Sequence, residues 1–145
     1  MNALEKAQAL LTEWVQNWHA PEDHRLDGEV SPTDLLPAVK ALNEQGWGYL
    51  VAITGLDAGA EAGSMEALYH FCSGASVLTL RVKIPREQAI VPSICSIVPY
   101  ASVFERELSE MFGIEVSGTP DPSRLFLPDD WVEGVYPLRK DAELD

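Results

Sequence analysis

Proline sets the firmest limit on what this chain can fold into. Pro120, Pro122, Pro128 and Pro137 fall within Gly118–Leu138, and each lacks a backbone N–H and fixes its φ, so neither a regular helix nor a central strand suits that stretch. The segment before it reads the other way. Ala101, Phe104, Leu108, Met111 and Phe112 recur on one helical face, and Gly113 supplies a residue that leaves a helix with positive φ. The spacing predicts a helix over 101–112 closing an α+β domain of residues 1–113. An extended arm, residues 114–145, then leaves the domain or lies across its surface.

Length and charge bound the function. A chain of 145 residues fits one domain, and a domain of that size removes roughly 70% of its unfolded surface from water. The net charge is −13, and −7 of it falls after residue 100. Such acidity argues against nucleic acid and against direct docking on an anionic membrane; it suits a solvated surface or a basic protein partner. No apolar run approaches the roughly 20 residues that cross a bilayer. Glu5, Trp14, Gln16 and Asn17 interrupt any signal-peptide layout. The expected location is cytoplasmic, peripheral to a membrane only through partners. Cys72 and Cys95 stand apart from each other and from any ligand spacing, and are expected as buried reduced thiols.

Periodicity organises the rest. Leu4, Ala7, Leu10, Leu11, Trp14, Val15 and Trp18 follow helical spacing and predict a first helix over 2–19, capped by Asn2 with Glu5. A short strand over 25–30 and a second helix from residue 33 or 34 to 43 follow, with Pro37 tolerable only in its first turn. Tyr49–Ile53, Ala67–Cys72 and Val77–Ile84 read as strands. In the last of these Leu78, Leu80, Val82 and Ile84 alternate with Val77, Thr79, Arg81 and Lys83. The Gly-rich stretch 57–64 suits a hairpin loop, and proline-bracketed 90–98 a turn or loop over the sheet. This order is that of an α+β fold: a mainly antiparallel sheet covered by helices, with a proline-rich C-terminal arm.

Three motifs in the last third stand in a specific order: Glu105-Arg106-Glu107 opening into Met111-Phe112-Gly113-Ile114, Pro120-Asp121 leading to Leu127-Pro128-Asp129-Asp130-Trp131, and Pro137-Leu138-Arg139-Lys140-Asp141. In this the chain resembles the C-type (30 kDa-type) subunit of respiratory complex I, the NADH:quinone oxidoreductase, and its homologues in membrane-bound energy-converting hydrogenases. The resemblance is densest over 101–141 and reaches back to about Trp47. Thr119 and Tyr136 stand where the complex I form usually has histidine, and Val103 where it usually has tryptophan, so the hydrogenase sibling is kept as the alternative. The resemblance implies a non-catalytic, cofactor-free subunit. It would pack against the large catalytic redox subunit and neighbouring iron–sulfur subunits, supporting electron transfer coupled to ion translocation. The residues it marks as partner-binding are Glu105, Arg106, Glu107, Phe112, Asp121, Arg124, Leu125, Asp129, Trp131, Pro137, Leu138, Arg139 and Lys140.

Other chemistry fares worse. Glu105, Glu107 and Glu110 could form an acid–base group in a small soluble enzyme, but residues two apart on a helix point in different directions. A solvated helix face with an Arg106–Glu110 pair is the plain alternative. His19, His24 and His70 are scattered, with no converging metal-ligand set. Gly55, Gly59 and Gly63 lack the ending of a nucleotide cradle. Phe126, Trp131 and Tyr136 can fold back on the domain or anchor a partner, as aromatic residues at interfaces do. An adaptor unconnected with redox chemistry is a third reading.

Overall fold

Period-two alternation builds the centre of the molecule. In the computed structural model, which describes residues 1–142, Val77–Ile84 and Ala67–Cys72 lie inside two long strands. These are β4 (Ser64–Ser73) and β5 (Ser76–Pro85), joined through Gly74 at φ 59°. Leu78, Leu80, Val82 and Ile84 point to one face with Met65, Ala67, Tyr69 and Phe71, and all eight are buried. The preceding elements, in chain order, are α1 (Ala3–Leu11), β1 (Val15–His19), β2 (Arg25–Val30), α2 (Leu35–Glu44) and β3 (Tyr49–Asp57). The following ones are β6 (Ile90–Pro92), α3 (Ala101–Phe112) and β7 (Glu115–Ser117).

The main sheet has the order β1-β2-β5-β4-β3, with only β2 and β5 parallel; β6 and β7 form a small parallel pair. The three helices bury Ala7 and Leu11, Leu35, Val39 and Leu42, and Ala101 and Leu108 in one core with the sheet. The fold is thus α+β, with a mainly antiparallel main sheet. Among the described residues no helix is long and apolar enough to cross a membrane.

Local chemistry accounts for the elements that follow expectation. Asn2 Oδ1 accepts the Glu5 N–H at 2.8 Å, the N-cap contact that opens α1. Pro37 is the third residue of α2, where its missing N–H breaks no helical bond. Residues 101–112 form α3, closed by Gly113 at φ 71°.

Four expectations need correction. The first helix stops at Leu11, and Val15–His19 pairs antiparallel with β2 instead. Val15 and Trp18 pack where a Cβ on Gly28 of β2 would stand, so cross-strand packing overrides the helical spacing. β3 runs on past Ile53 to Asp57, because Gly55 leaves room for the Phe112 ring of α3. The stretch 90–98 contributes a three-residue strand before its turns. The two cysteines are free but half-buried, less covered than expected.

Beyond β7 the chain runs in turns and coil pinned to the domain at several points; residues 143–145 of the expected arm lie outside the described residues.

Candidate partner-binding surface

Three carboxylates on the domain hold the segment that follows α3. Glu105, 1% exposed, accepts from Ser93 Oγ at 2.7 Å, the Ile94 N–H at 2.8 Å, Cys95 Sγ at 3.0 Å and Thr119 Oγ1 at 3.3 Å. It ties the loop after β6 and the residue after Gly118 to one turn of helix. A carboxylate with that many donors tolerates burial that an unpaired one could not. Burial pushes the Cys95 thiol up, the Ser93 hydrogen bond opposes it, and the hydrogen bond and charge of Glu105 add to the rise, which reaches about 11.

One turn further along α3, Glu110 takes the backbone of the arm itself. Its Oε1 accepts the N–H groups of Leu125 and Leu127 at 3.0 Å each, and Oε2 that of Phe126 at 2.9 Å. Three successive amides wrapped on one anion form a concavity that fixes the loop's path. Arg106 grips the same loop by its carbonyls, with Nε to Ser123 O at 2.9 Å and Nη2 to Arg124 O at 2.7 Å, and lies 3.5 Å from Asp121. In place of the Arg106–Glu110 pair of the plain alternative, the two residues make separate grips on residues 121–127. Arg124 closes the next turn, donating to Pro128 O at 2.6 Å and Trp131 O at 2.8 Å, while Trp131 Nε1 donates to Val135 O at 2.9 Å.

The third carboxylate, Asp57, ends β3 and is 3% exposed. It is ion-paired to the buried Arg86 and accepts the Lys140 N–H at 2.7 Å and the Gly59 N–H at 2.9 Å. Burial works against its charge, but Lys140, Gly59 and Arg86 together outweigh this and hold its pKa below the usual carboxylate value. Asp141 reaches Arg86 from the other side at 3.0 Å. Arg139 donates to Arg86 O at 3.2 Å and lies over the Tyr136 ring. That ring covers Gly113, where a Cβ would meet it at 2.6 Å. The Leu138 N–H satisfies Met111 O at 2.9 Å, one of the carbonyls a helix end leaves open.

The structure therefore divides the residues marked by sequence. Glu105, Arg106, Arg124 and Arg139 are engaged within the chain, the three arginines largely by backbone carbonyls. Phe112 packs on Gly55, and Trp131, Leu125 and Pro137 are half-buried. Glu107 is half-exposed, and Asp121, Asp129, Leu138 and Lys140 are exposed. The Glu105 and Glu110 oxygens face different elements and are occupied by donors, which removes the basis for a shared acid–base site. Sequence reasoning missed Glu110 as an anchor, the Asp57–Arg86 pair and the exposed Val132. A lone Asp at a strand end and a lone Arg after a proline carry no signal that they meet across 29 residues.

The pinned loop presents apolar side chains outward: Phe126 is 62% exposed, Val132 68% and Leu138 54%. Asp129, Asp130 and Glu133, in the same loop, are exposed as well. If Glu110 sets this presentation, Glu110→Ala strands three amides, each bond to a charged acceptor contributing about 1.5–3 kcal/mol. The expected result is rapid proteolytic cutting within 118–135, with the sheet amides still protected from hydrogen exchange. Limited proteolysis and exchange on one sample check it.

Residues 28–145 match the family model described as respiratory-chain NADH dehydrogenase, 30 Kd subunit. The chain is 37% identical over 119 residues to the C-type subunit of the NADH-quinone oxidoreductase of Moorella thermoacetica, covering 79% of this chain and 78% of that one. It is 42% identical over 90 residues to membrane-bound hydrogenase subunit beta of Pyrococcus furiosus, covering 60% of this chain and 51% of that one. Its fold is similar to that of a chain in the structure of the membrane-bound sulfane sulfur reductase, an archaeal respiratory membrane complex. That match has a TM-score of 0.82 at 22% identity and covers 97% and 85% of the two chains. The chain spans about half, or less, of the length of several curated relatives it matches.

Proposed function

Because the chain belongs to the family of the respiratory-chain NADH dehydrogenase 30 Kd subunit, we propose that it is a non-catalytic subunit of a membrane-associated redox complex. It packs against the large catalytic subunit beside neighbouring iron–sulfur subunits and reaches the membrane only through them. Electron transfer and the ion translocation coupled to it belong to those partners, which this chain holds in register.

The observation that carries the reading is the loop 121–138, whose backbone is fixed by Glu110, Arg106 and Arg124 while Phe126, Val132 and Leu138 stay exposed. Fixing a loop before contact removes ordering entropy from the binding step, and apolar anchors on such a loop are what interface hot spots require. The acidic residues around them suit a partner rim rich in lysine and arginine.

The test is Phe126→Asp combined with Val132→Asp in a tagged chain. Each anchor is expected to contribute about 2 kcal/mol or more to the contact, so the large redox subunit should drop out of the co-purified material. Thermal unfolding of the isolated chain should stay unchanged, since both side chains are largely in water already. Recovery of the large subunit at wild-type stoichiometry would remove the loop as the interface. The identity to the hydrogenase subunit supports the second reading, in which the large subunit is that of a membrane-bound energy-converting nickel–iron hydrogenase; the co-eluting partner decides between the two.

A further inference from the structure

We infer that the cavity between α3 and the loop 122–136 is a socket for one basic side chain, arginine or lysine, of the large catalytic subunit, with Glu133 as its counter-charge. This rests on the loop being the contact with that subunit, as proposed above, and goes further in giving the chemistry of the group that enters. The cavity has a volume of about 350 Å³, within the range of about 300–1,000 Å³ typical of preformed binding clefts. Of its lining, Glu110 is buried, Trp131 and Tyr136 are half-buried, and Val132 and Glu133 are exposed, so it opens past the last two. Glu110, Arg106 and Arg124 fix the backbone around it, so the socket is shaped before anything enters.

The other charges on its wall are already met within the chain. Both Glu110 oxygens are taken by the amides of Leu125, Phe126 and Leu127. Arg106 donates to Ser123 O, Ser123 Oγ and Arg124 O, and lies 3.5 Å from Asp121. Arg124 donates to the carbonyls of Pro128 and Trp131. Glu133 forms no ion pair among the described residues, and the residues after Ala142 are Glu143, Leu144 and Asp145, none of them basic. Arg106 and Arg124 against Glu110, Asp121 and Glu133 leave one negative charge at the site.

That unmet carboxylate selects the occupant. Val132 is the neighbour of Glu133 in the chain, so seating Val132 against a partner takes Glu133 out of water with it, and a carboxylate desolvated without a cation is costly. An apolar side chain would leave it unpaired, and an acidic one would add a like charge beside it. A basic side chain pairs with it, while its alkyl stem lies along the Trp131 and Tyr136 side chains that line the cavity. A free cation would make only a water-exposed pair there, which is worth little. A side chain delivered by the partner is sealed in as Val132 is covered.

The rate at which the large subunit leaves the immobilised tagged chain is the readout. Glu133→Gln keeps the size of the side chain and removes its charge, and is expected to speed release at least about tenfold, because the partner's cation is then buried unpaired. Asp130→Asn removes an exposed carboxylate of the same loop that does not line the cavity, and should change release less than about twofold. Thermal unfolding of both isolated variants should match wild type, since both residues are exposed. The inference is overturned if Glu133→Gln releases the subunit no faster than wild type, or if the two variants speed release equally, so that general acidity is at work. It is also overturned if free arginine methyl ester binds the isolated chain through Glu133, which would make the socket a small-cation site. If the wild-type chain holds no large subunit, or Phe126→Asp/Val132→Asp keeps it, the proposed contact itself falls and the socket with it; if that variant loses it and Glu133→Gln releases normally, only the socket falls.

Discussion

Asp57→Ala is expected to destabilise the chain by about 3–5 kcal/mol, the usual result of removing one partner of a buried ion pair. Arg86 would be left charged, 9% exposed, with only the more exposed Asp141 beside it among the described residues. The Lys140 and Gly59 amides would lose their acceptor as well. Replacing both partners with leucine should recover part of the loss, because no charge then stays buried, but not the part due to the two amides. Equilibrium unfolding in urea measures all three proteins. The native Asp57 pKa lies below its unfolded value, so its contribution is complete above the unfolded carboxylate pKa and is lost as pH falls through the native one. Asp57→Asn should therefore flatten the acid limb of the stability profile and leave its shape near neutrality unchanged.

Glu105→Ala is the second large effect expected. It leaves Ser93, Ile94, Cys95 and Thr119 donors without their acceptor, and each buried donor stranded costs about 1–3 kcal/mol, so a total loss on the order of 3–5 kcal/mol follows. Glu105→Gln keeps the shape and one acceptor oxygen and should lose less. A second readout separates charge from packing: Glu105 helps raise the Cys95 thiol pKa, so Glu105→Gln lowers it and exposes more thiolate at a given pH. Cys95 alkylation at about pH 8 should be faster in Glu105→Gln than in wild type while the folded fraction is unchanged. Equal rates would mean that the carboxylate does not act on the thiol.

Local signals were sufficient where one element carried them whole. The helical face from Ala101 to Phe112 with Gly113 behind it, and the alternation from Val77 to Ile84, needed no other part of the chain to be read. Val15 and Trp18 show the opposite case: their spacing suits a helix, and only Gly28, further along the chain on the partner strand, decides for a strand. The site divides the same way. The acidic and basic residues of α3 and the arm are visible in sequence, but the partners of Glu110 and Arg124, and most of those of Arg106, are backbone amides and carbonyls of the loop, which carry no residue identity. Glu110 could be read as a solvated charge because Leu125, Phe126 and Leu127 give no hint that their N–H groups turn inward.

The contacts made by residues 138–141 also impose an order on folding. Lys140 reaches Asp57 across 83 positions and Arg139 reaches Met65 across 74, and closing loops of that length is slow compared with pairing β4 to β5 across the tight turn at Gly74. During synthesis the sheet and the first two helices can be complete while these residues are still unmade. The loop bearing Phe126 and Val132 is bracketed by the late contacts, so the surface proposed for a partner matures last. A nascent chain would stay unable to join a complex until its core had already formed.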